Sequence, residues 1–223
     1  MRAAFLAQDR GDIGEATKSL AQGMAKPNAG HLSDLKHLGR YLAGSPHVAN
    51  RFTQQAMPKA IVTAVDSDHA ADKLTRKSIT GMVQRFGSHT IKHTSNMQSA
   101  LGLNVSECEF YAIVHGGAHG LGVQSYFRDW EMELEVVVES DSNAAKSFAS
   151  RKGLGKQRHV MTRYLWIQER VANKDVTILK VKGGDNVADI MTKVTNRPLL
   201  WKHMAKMGYV VKDKSKLQKG LAK

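Results

Sequence analysis

The chain has 223 residues, of which 42% are hydrophobic, and its formal net charge is +13. This composition excludes wholesale disorder and allows one substantial domain plus a smaller element. The only cysteine is Cys108, which excludes a disulfide framework and a cysteine-based zinc site and suits a reducing, intracellular compartment.

The charge balance bears on the class of partner. Such an excess of basic residues favours a polyanion, with nucleic acid ahead of an anionic membrane, although a generic basic surface is the alternative. No stretch approaches the ~20 consecutive apolar residues that cross a bilayer, so we predict no membrane partner.

The first part of the chain, residues 1–57, has a helical pattern. One predicted helix ends at Pro27, and a second places leucines on one stripe and ends near Gly44. Two short helices bury little surface alone, so this segment is interpreted as the end of an upstream domain or a support for the residues after it.

From Lys59 onwards the period changes from helix to strand. The predicted elements are strands near 59–66, 78–86 and 89–95, a long helix over about 106–127, a strand Leu134–Val138, a helix Asn143–Ser150, a helix over about 160–172 and a strand Val176–Val181. We therefore predict an α/β fold, in which a mixed five-stranded sheet carries helices on its faces and follows a small helical segment. The boundaries are 1–57 for the helical segment, 58–209 for the sheet domain and 210–223 for a lysine-rich tail.

Four acids stand at the ends of these elements. Asp66 ends the first strand, Glu109 lies in the first turn of the long helix, and Asp141 and Asp189 follow the fourth and fifth strands. Carboxylates that cluster without cations repel, and oxygen ligands favour Mg²⁺ or Mn²⁺ over zinc. Two such ions ~4 Å apart activate a water and stabilise the leaving oxygen of a phosphodiester.

Each acid also has a simpler interpretation. Glu109 could complete a capping box with Ser106 at the helix N-terminus. Asp141 could cap the helix that follows it, and Asp189 could be a solvated helix residue. The acids that end the first strand could begin a solvated turn. The case for a metal site therefore depends on the whole set and its order.

Five segments in order carry a family resemblance: VDSDHAADKLTRKSITG (65–81), SECEFYAIVHG (106–116), SDSNAAKSFASRKGLGKQRH (140–159), RYLWIQERV (163–171) and NVADIMTK (186–193). Together they resemble the ribonuclease H domain of copia-type LTR-retrotransposon Pol polyproteins. Residues 5–44 resemble the segment that joins the reverse transcriptase to that domain.

The resemblance implies a ribonuclease H fold and hydrolysis of the RNA strand of RNA–DNA hybrids with two Mg²⁺ or Mn²⁺ ions. The implied catalytic and metal-binding residues are Asp66, Glu109, Asp141 and Asp189. Asp68 is a neighbour of the first ligand or a substitute for it, and Glu109 rather than Glu107 is the helix acid. The implied partners are the hybrid and an upstream reverse transcriptase domain of the same polyprotein, in a cytoplasmic particle or the nucleus.

A basic loop follows Asp141 closely. We predict that it holds the hybrid backbone through phosphate contacts, without reading bases. Its predicted nucleic-acid-binding residues are Arg151, Lys152, Lys156, Arg158 and His159. A solvated basic loop is the alternative, and His159 could instead help product release or pair with an acid.

Some positions depart from the family pattern. His69 and Ala70 stand where the family usually has Trp and Gly, and Cys108 stands where a small residue usually separates the two helix acids. These departures motivate an alternative function, a catalytically inactive, retroelement-derived nucleic-acid-binding remnant. A third interpretation keeps the fold but changes the reaction to DNA cleavage or strand transfer, and the order of the four acids argues against it.

Overall fold

The computed structural model describes residues 2–72, 75–155 and 158–211. Lys156 of the predicted basic loop and residues 212–223 of the predicted tail lie outside these ranges. In the part of the chain so described, no helix is both long and apolar enough to span a membrane.

Seven strands and seven α-helices make up the described chain. The strands are β1 (Val48–Asn50), β2 (Ala60–Asp68), β3 (Ile79–Phe86), β4 (His89–Met97), β5 (Glu135–Ser140), β6 (Thr177–Lys180) and β7 (Tyr209–Val211). The helices are α1 (Arg2–Leu6), α2 (Gly14–Gln22), α3 (Ala29–Gly44), α4 (Val105–Arg128), α5 (Asn143–Ser150), α6 (Trp166–Ala172) and α7 (Arg197–Lys206). A 3₁₀ segment at Val187–Met191 carries the last of the predicted acids.

The main sheet has the strand order β4-β3-β2-β5-β6. β2, β3 and β4 pair antiparallel, because short connections join them, whereas β5 and β6 pair parallel to their neighbours after helical crossovers. The predicted architecture is confirmed: a mixed five-stranded sheet carries helices on its faces and follows a small helical segment.

Helix α4 lies unusually close to one face of the sheet because it presents glycines there. A Cβ at Gly116 would lie 2.6 Å from Val65 Cγ1, and one at Gly120 would lie 2.4 Å from Val136 Cγ1. Neither position has room for a side chain. The helix therefore holds its first turns, which include Glu109, tightly against the end of β2.

A second core on the opposite face joins the 3₁₀ segment, α7 and β7 to the sheet. It includes Ala64, Val83, Met191 and Met204. Gly81 pairs with Asp66 across β2 and β3, and a Cβ on Gly81 would lie 2.7 Å from the carbonyl oxygen of Ala188. Because Gly81 has no Cβ, the 3₁₀ segment that carries Asp189 can pack beside Asp66.

The prediction that residues 1–57 are helical holds for only part of that segment. Val48 pairs with Val211 in a separate two-stranded sheet of β1 and β7. The hydroxyl of Tyr209 donates to the Asp9 carbonyl at 3.0 Å and accepts from the Gly11 amide at 3.1 Å. A three-residue strand has almost no periodicity, so only its distant partner reveals it.

Candidate metal centre

Three of the four predicted acids meet at one edge of the sheet. Oxygen atoms of Asp66, Glu109 and Asp141 all lie within 4.8 Å of one another. Asp66 and Glu109 are buried and Asp141 is half-buried. The parallel pairing of β2 with β5 brings the carboxyl ends of both strands to this edge, and the first turns of α4 cover it.

Glu109 is the most constrained member of the cluster. Its Oε1 accepts a hydrogen bond from the Ser67 amide at 3.3 Å, but its buried Oε2 has no hydrogen-bond partner among the described residues. Burial, with the charges of Asp66 and Asp141 adding to it, raises the pKa of Glu109 to about 8. A buried carboxylate oxygen without a partner is costly, and a hard divalent cation such as Mg²⁺ or Mn²⁺ would compensate it. The residues present therefore fit such an ion.

The capping interpretation of Glu109 is wrong. Asn104 is the N-cap of α4, and its Oδ1 accepts from the Glu107 amide at 3.0 Å. Ser106 lies inside the helix and donates to the same oxygen at 2.6 Å. Because the helix begins earlier than the capping-box pattern suggested, Glu109 is carried beyond the cap and towards the sheet.

The capping interpretation of Asp141 is also wrong. Ser142 caps α5, and its hydroxyl oxygen accepts from the Ala145 amide at 3.2 Å. Asp141 is therefore left facing the cluster. Asp68, the other candidate at the end of β2, is half-buried and does not belong to the cluster of Asp66, Glu109 and Asp141 found among the described residues. Burial raises the pKa of Asp68, Lys193 opposes this shift and Asp66 adds to it.

Asp189 lies on the face of the sheet opposite to α4. The segment that carries it is fastened by Asn186, whose Nδ2 donates to the Val65 carbonyl at 2.9 Å. Burial and the charge of Asp66 raise the pKa of Asp189 to about 6, although Lys193 opposes the shift. Asp189 is thus half-buried beside the cluster rather than solvated on a helix.

Lys193, which the sequence analysis did not single out, connects Asp189 to the cluster. Its Nζ lies 3.1 Å from Asp66 Oδ2 and 3.3 Å from Asp189 Oδ1, and the hydroxyl of Thr192 donates to the same oxygen of Asp66. Burial alone would lower the pKa of Lys193, but the charges of Asp66 and Asp189 outweigh it and raise that pKa. The sequence did contain one indication of this role. Lys193 follows Asp189 by four residues, a spacing at which a basic and an acidic side chain can pair across one helical turn.

The predicted basic loop is exposed at Arg151, Lys152 and Arg158. Arg151 stacks over the Phe148 ring at 4.3 Å and donates to the Leu154 carbonyl at 2.7 Å. In the described part of the chain, no hydrogen bond or ion pair joins these basic residues to the four acids. Arg151, Lys152 and Arg158 therefore lie close to Asp141 along the chain without a direct polar contact to the acids.

His159 pairs with an acid, one of the two roles considered for it. Its Nε2 lies 2.8 Å from Glu107 Oε2. Glu107 is fully buried and also accepts hydrogen bonds from the Tyr111 hydroxyl and, at 3.0 Å, from the Leu103 amide. Burial would raise the pKa of Glu107, but the hydrogen bonds from His159 and Tyr111 outweigh it and lower that pKa. Glu107 thus fastens the end of the basic loop to the first turn of α4.

Curated proteins similar to this chain are Pol polyproteins. The retrovirus-related Pol polyprotein from transposon TNT 1-94 of Nicotiana tabacum is 27% identical over 190 residues, which cover 84% of this chain and 14% of the polyprotein. That from transposon RE1 of Arabidopsis thaliana is 26% identical over 207 residues, covering 92% and 14%. The chain therefore spans about one seventh of the length of these relatives.

Solved structures give weaker similarities. LC11-RNase H1 from compost is 14% identical, with 60% of this chain and 92% of that chain covered and a TM-score of 0.42. The N-terminal RNase H domain of a Mycobacterium tuberculosis protein is 11% identical, with 67% and 98% covered and a TM-score of 0.42. No protein-family model matches the chain. Over 84–92% of its length, the chain is thus similar in sequence to a segment of copia-type retrovirus-related Pol polyproteins.

Proposed function

We propose that this chain is a metal-dependent endonuclease that hydrolyses the RNA strand of RNA–DNA hybrids. The observation that carries the proposal is the cluster of Asp66, Glu109 and Asp141, whose oxygens lie within 4.8 Å of one another at the end of the sheet. The homology to Pol polyproteins and the net charge of +13 support the same function.

The four acids have distinct tasks in this proposal. Asp66, Glu109 and Asp141 would hold one divalent ion, and Asp66 and Asp189 would share a second. Bound Mg²⁺ or Mn²⁺ supplies an activated water and stabilises the leaving oxygen, so that the product keeps a 3′ hydroxyl. Burial of Asp66 and Glu109 fixes their oxygens before the ion arrives, which favours one ligand geometry.

Substrate binding would use charge and shape. Arg151, Lys152 and Arg158 are exposed cations that can contact phosphates of the hybrid, together with Lys156. The pair of His159 with Glu107 would hold this loop at the end of α4 that carries Glu109. We also propose that residues 1–57 connect the nuclease to an upstream reverse transcriptase domain.

The test is cleavage of an end-labelled RNA–DNA hybrid with Mg²⁺ and then Mn²⁺. The informative variant is Asp141→Asn, and the matched control is Asp175→Asn, which makes the same change at an exposed surface ion pair with Arg170. We expect cleavage by the wild type and the control, and loss of cleavage in Asp141→Asn and in chelator.

Two results would contradict the proposal. Tight, salt-sensitive hybrid binding without cleavage, in a folded wild-type sample, would favour the inactive nucleic-acid-binding remnant instead. Metal-dependent cleavage of duplex DNA in place of the hybrid would favour a different reaction on the same fold.

A further inference from the structure

A row of aromatic side chains lies at the end of the sheet opposite to the candidate metal centre. Phe86 ends β3 and pairs with Ile61, near the start of β2. Asp66 lies five residues further along β2, which is about 17 Å of extended chain. The nuclease function proposed above makes no use of this end of the molecule.

The rings in this row support one another. Phe86 packs on Phe127, in the last turn of α4, with ring centroids 4.7 Å apart. Phe127 in turn packs on Trp130, with centroids 5.6 Å apart and ring planes at 82°. The two phenylalanines are half-buried, whereas Trp130 is 69% exposed and Tyr126, also in the last turn of α4, is 70% exposed. Large aromatic side chains that are packed on one side and open to solvent on the other are typical of a binding surface.

The charge around these rings is opposite to that of the chain as a whole. Residues 126–135 contain one basic residue, Arg128, against four acids, which gives a formal charge of −3, whereas the whole chain carries +13. The four acids are all exposed: Asp129, Glu131, Glu133 and Glu135. Among the described residues only Glu133 of these four has an ion pair, at 3.9 Å from Arg128. The surface therefore attracts cations and repels phosphates.

We propose that this surface binds a cationic segment of another protein, whose arginine or lysine side chains lie over Trp130 and pair with the neighbouring carboxylates. The indole ring of tryptophan attracts cations more strongly than the other aromatic side chains do. An arginine guanidinium can stack on such a ring and donate to a carboxylate at the same time, because its donors lie in the plane of the group. Tyr126 adds aromatic contact area beside this position.

Charge also decides among the possible occupants. Two copies of a chain with a net charge of +13 repel each other, which disfavours self-association through this surface. A base of single-stranded nucleic acid could stack on Trp130, but its phosphates would then lie beside exposed carboxylates. A cationic peptide suits both the exposed rings and the acids.

The test is fluorescence anisotropy of a labelled octa-arginine peptide titrated with the full chain. The informative variants are Trp130→Ala and Glu131→Gln, with folding checked by circular dichroism. Phe5→Ala is the matched control for the first, because Phe5 is an aromatic residue of α1 that is 74% exposed. Glu169→Gln is the matched control for the second, since Glu169 is an exposed acid of α6. Asp141→Asn detects peptide that binds to the acids of the candidate metal centre.

We expect the wild type, the two controls and Asp141→Asn to bind the peptide with equal affinity. Trp130→Ala is expected to weaken binding about tenfold or more, as the loss of a central aromatic anchor does. Glu131→Gln is expected to weaken it about threefold. Absence of binding by the wild type at low ionic strength would overturn the inference, and so would equal weakening by the informative variants and their controls.

Three further results would assign the surface to another occupant and would overturn the inference as well. The first is a wild-type dimer in sedimentation that Trp130→Ala converts to a monomer, which would indicate a second copy. The second is weaker binding of labelled oligothymidylate by Trp130→Ala, which would indicate single-stranded nucleic acid. The third is tighter binding of the peptide once the lysines of residues 212–223 are replaced by glutamine, which would indicate that segment of the same chain. Hybrid cleavage is expected to be unchanged in Trp130→Ala, so this inference and the proposed nuclease function fail independently.

Discussion

Glu107 and Glu109 lie two residues apart at the start of α4, and both are buried, at 0% and 5% exposure. Their environments nevertheless move their pKa values in opposite directions. Glu107 receives hydrogen bonds from His159, Tyr111 and the Leu103 amide, and its pKa is lowered against the effect of burial. Burial, with the charges of Asp66 and Asp141, raises the pKa of Glu109 to about 8.

Burial alone therefore does not identify a functional acid. A buried carboxylate whose oxygens are satisfied by the protein is a structural group, and its loss leaves donors without partners. A buried carboxylate with an oxygen left without a partner, close to other acids, is stabilised by protonation or by a bound cation. On this helix, Glu107 is a structural group, whereas Glu109 has the environment expected of a metal ligand.

The largest effect that separates the two acids is on catalysis. Glu109→Gln is expected to lower hybrid cleavage by more than about a hundredfold, since loss of groups that merely support a ligand already costs 10–100-fold. Glu107→Gln, the same chemical change on the same turn, is expected to keep cleavage within about tenfold of the wild type. Initial rates on a labelled hybrid with Mg²⁺ measure both, and equal losses would contradict the distinction.

The next effect is on stability, where the Glu107 variant is expected to lose more than the Glu109 variant. Glu107→Gln is expected to lower the free energy of unfolding by about 3 kcal/mol, because it disturbs a buried acceptor with three donors. Glu109→Gln in metal-free protein is expected to leave that free energy unchanged or to raise it, since it removes an uncompensated acid. Urea unfolding followed by circular dichroism in chelator measures both variants, and a larger loss in Glu109→Gln would reverse the roles.

The sequence predicted the five strands of the main sheet and α4 to within a few residues, because each has a long apolar or periodic pattern. It also placed Asp66 and Asp141 correctly near the ends of strands. It placed Glu109 in the first turn of the long helix, whereas α4 begins at Val105 and only Glu107 lies in its first turn. It could not assign the caps, since Asn104, Ser106 and Ser142 are all good capping residues and only the backbone decides among them. Nor could it find Lys193, whose role exists only because Asp66 arrives from 127 residues away.

The pH dependence of folding stability provides a further test of how Glu109 differs from Glu107. Glu109 is protonated more readily in the folded protein than in the unfolded chain, where its pKa is close to 4.5. Its contribution to stability is therefore fully present below pH 4.5 and is lost as the pH rises through about 8. In chelator, the wild type is expected to lose on the order of 1 kcal/mol or more of stability relative to Glu109→Gln between pH 5 and pH 8. Parallel stability curves for the two proteins would contradict this.

The smallest predicted effect concerns His159, which is hydrogen-bonded to Glu107. His159→Gln should loosen the basic loop and weaken hybrid binding about threefold, a modest change because the side chain of His159 is 42% exposed. Fluorescence anisotropy with a labelled hybrid, in an Asp141→Asn background that prevents cleavage, measures the affinity. His37→Gln is the matched control, since His37 is an exposed histidine on α3.

The pairing can then be separated from the charge of His159. If Glu107 acts on the hybrid only through His159, then Glu107→Gln weakens binding to the same extent, and the double variant is no weaker than either single one. Additive losses would mean that His159 contacts the nucleic acid directly and that its bond to Glu107 is incidental. In that case Glu107 would only stabilise the start of α4. The difference between Glu107 and Glu109 would then not extend to binding of the hybrid.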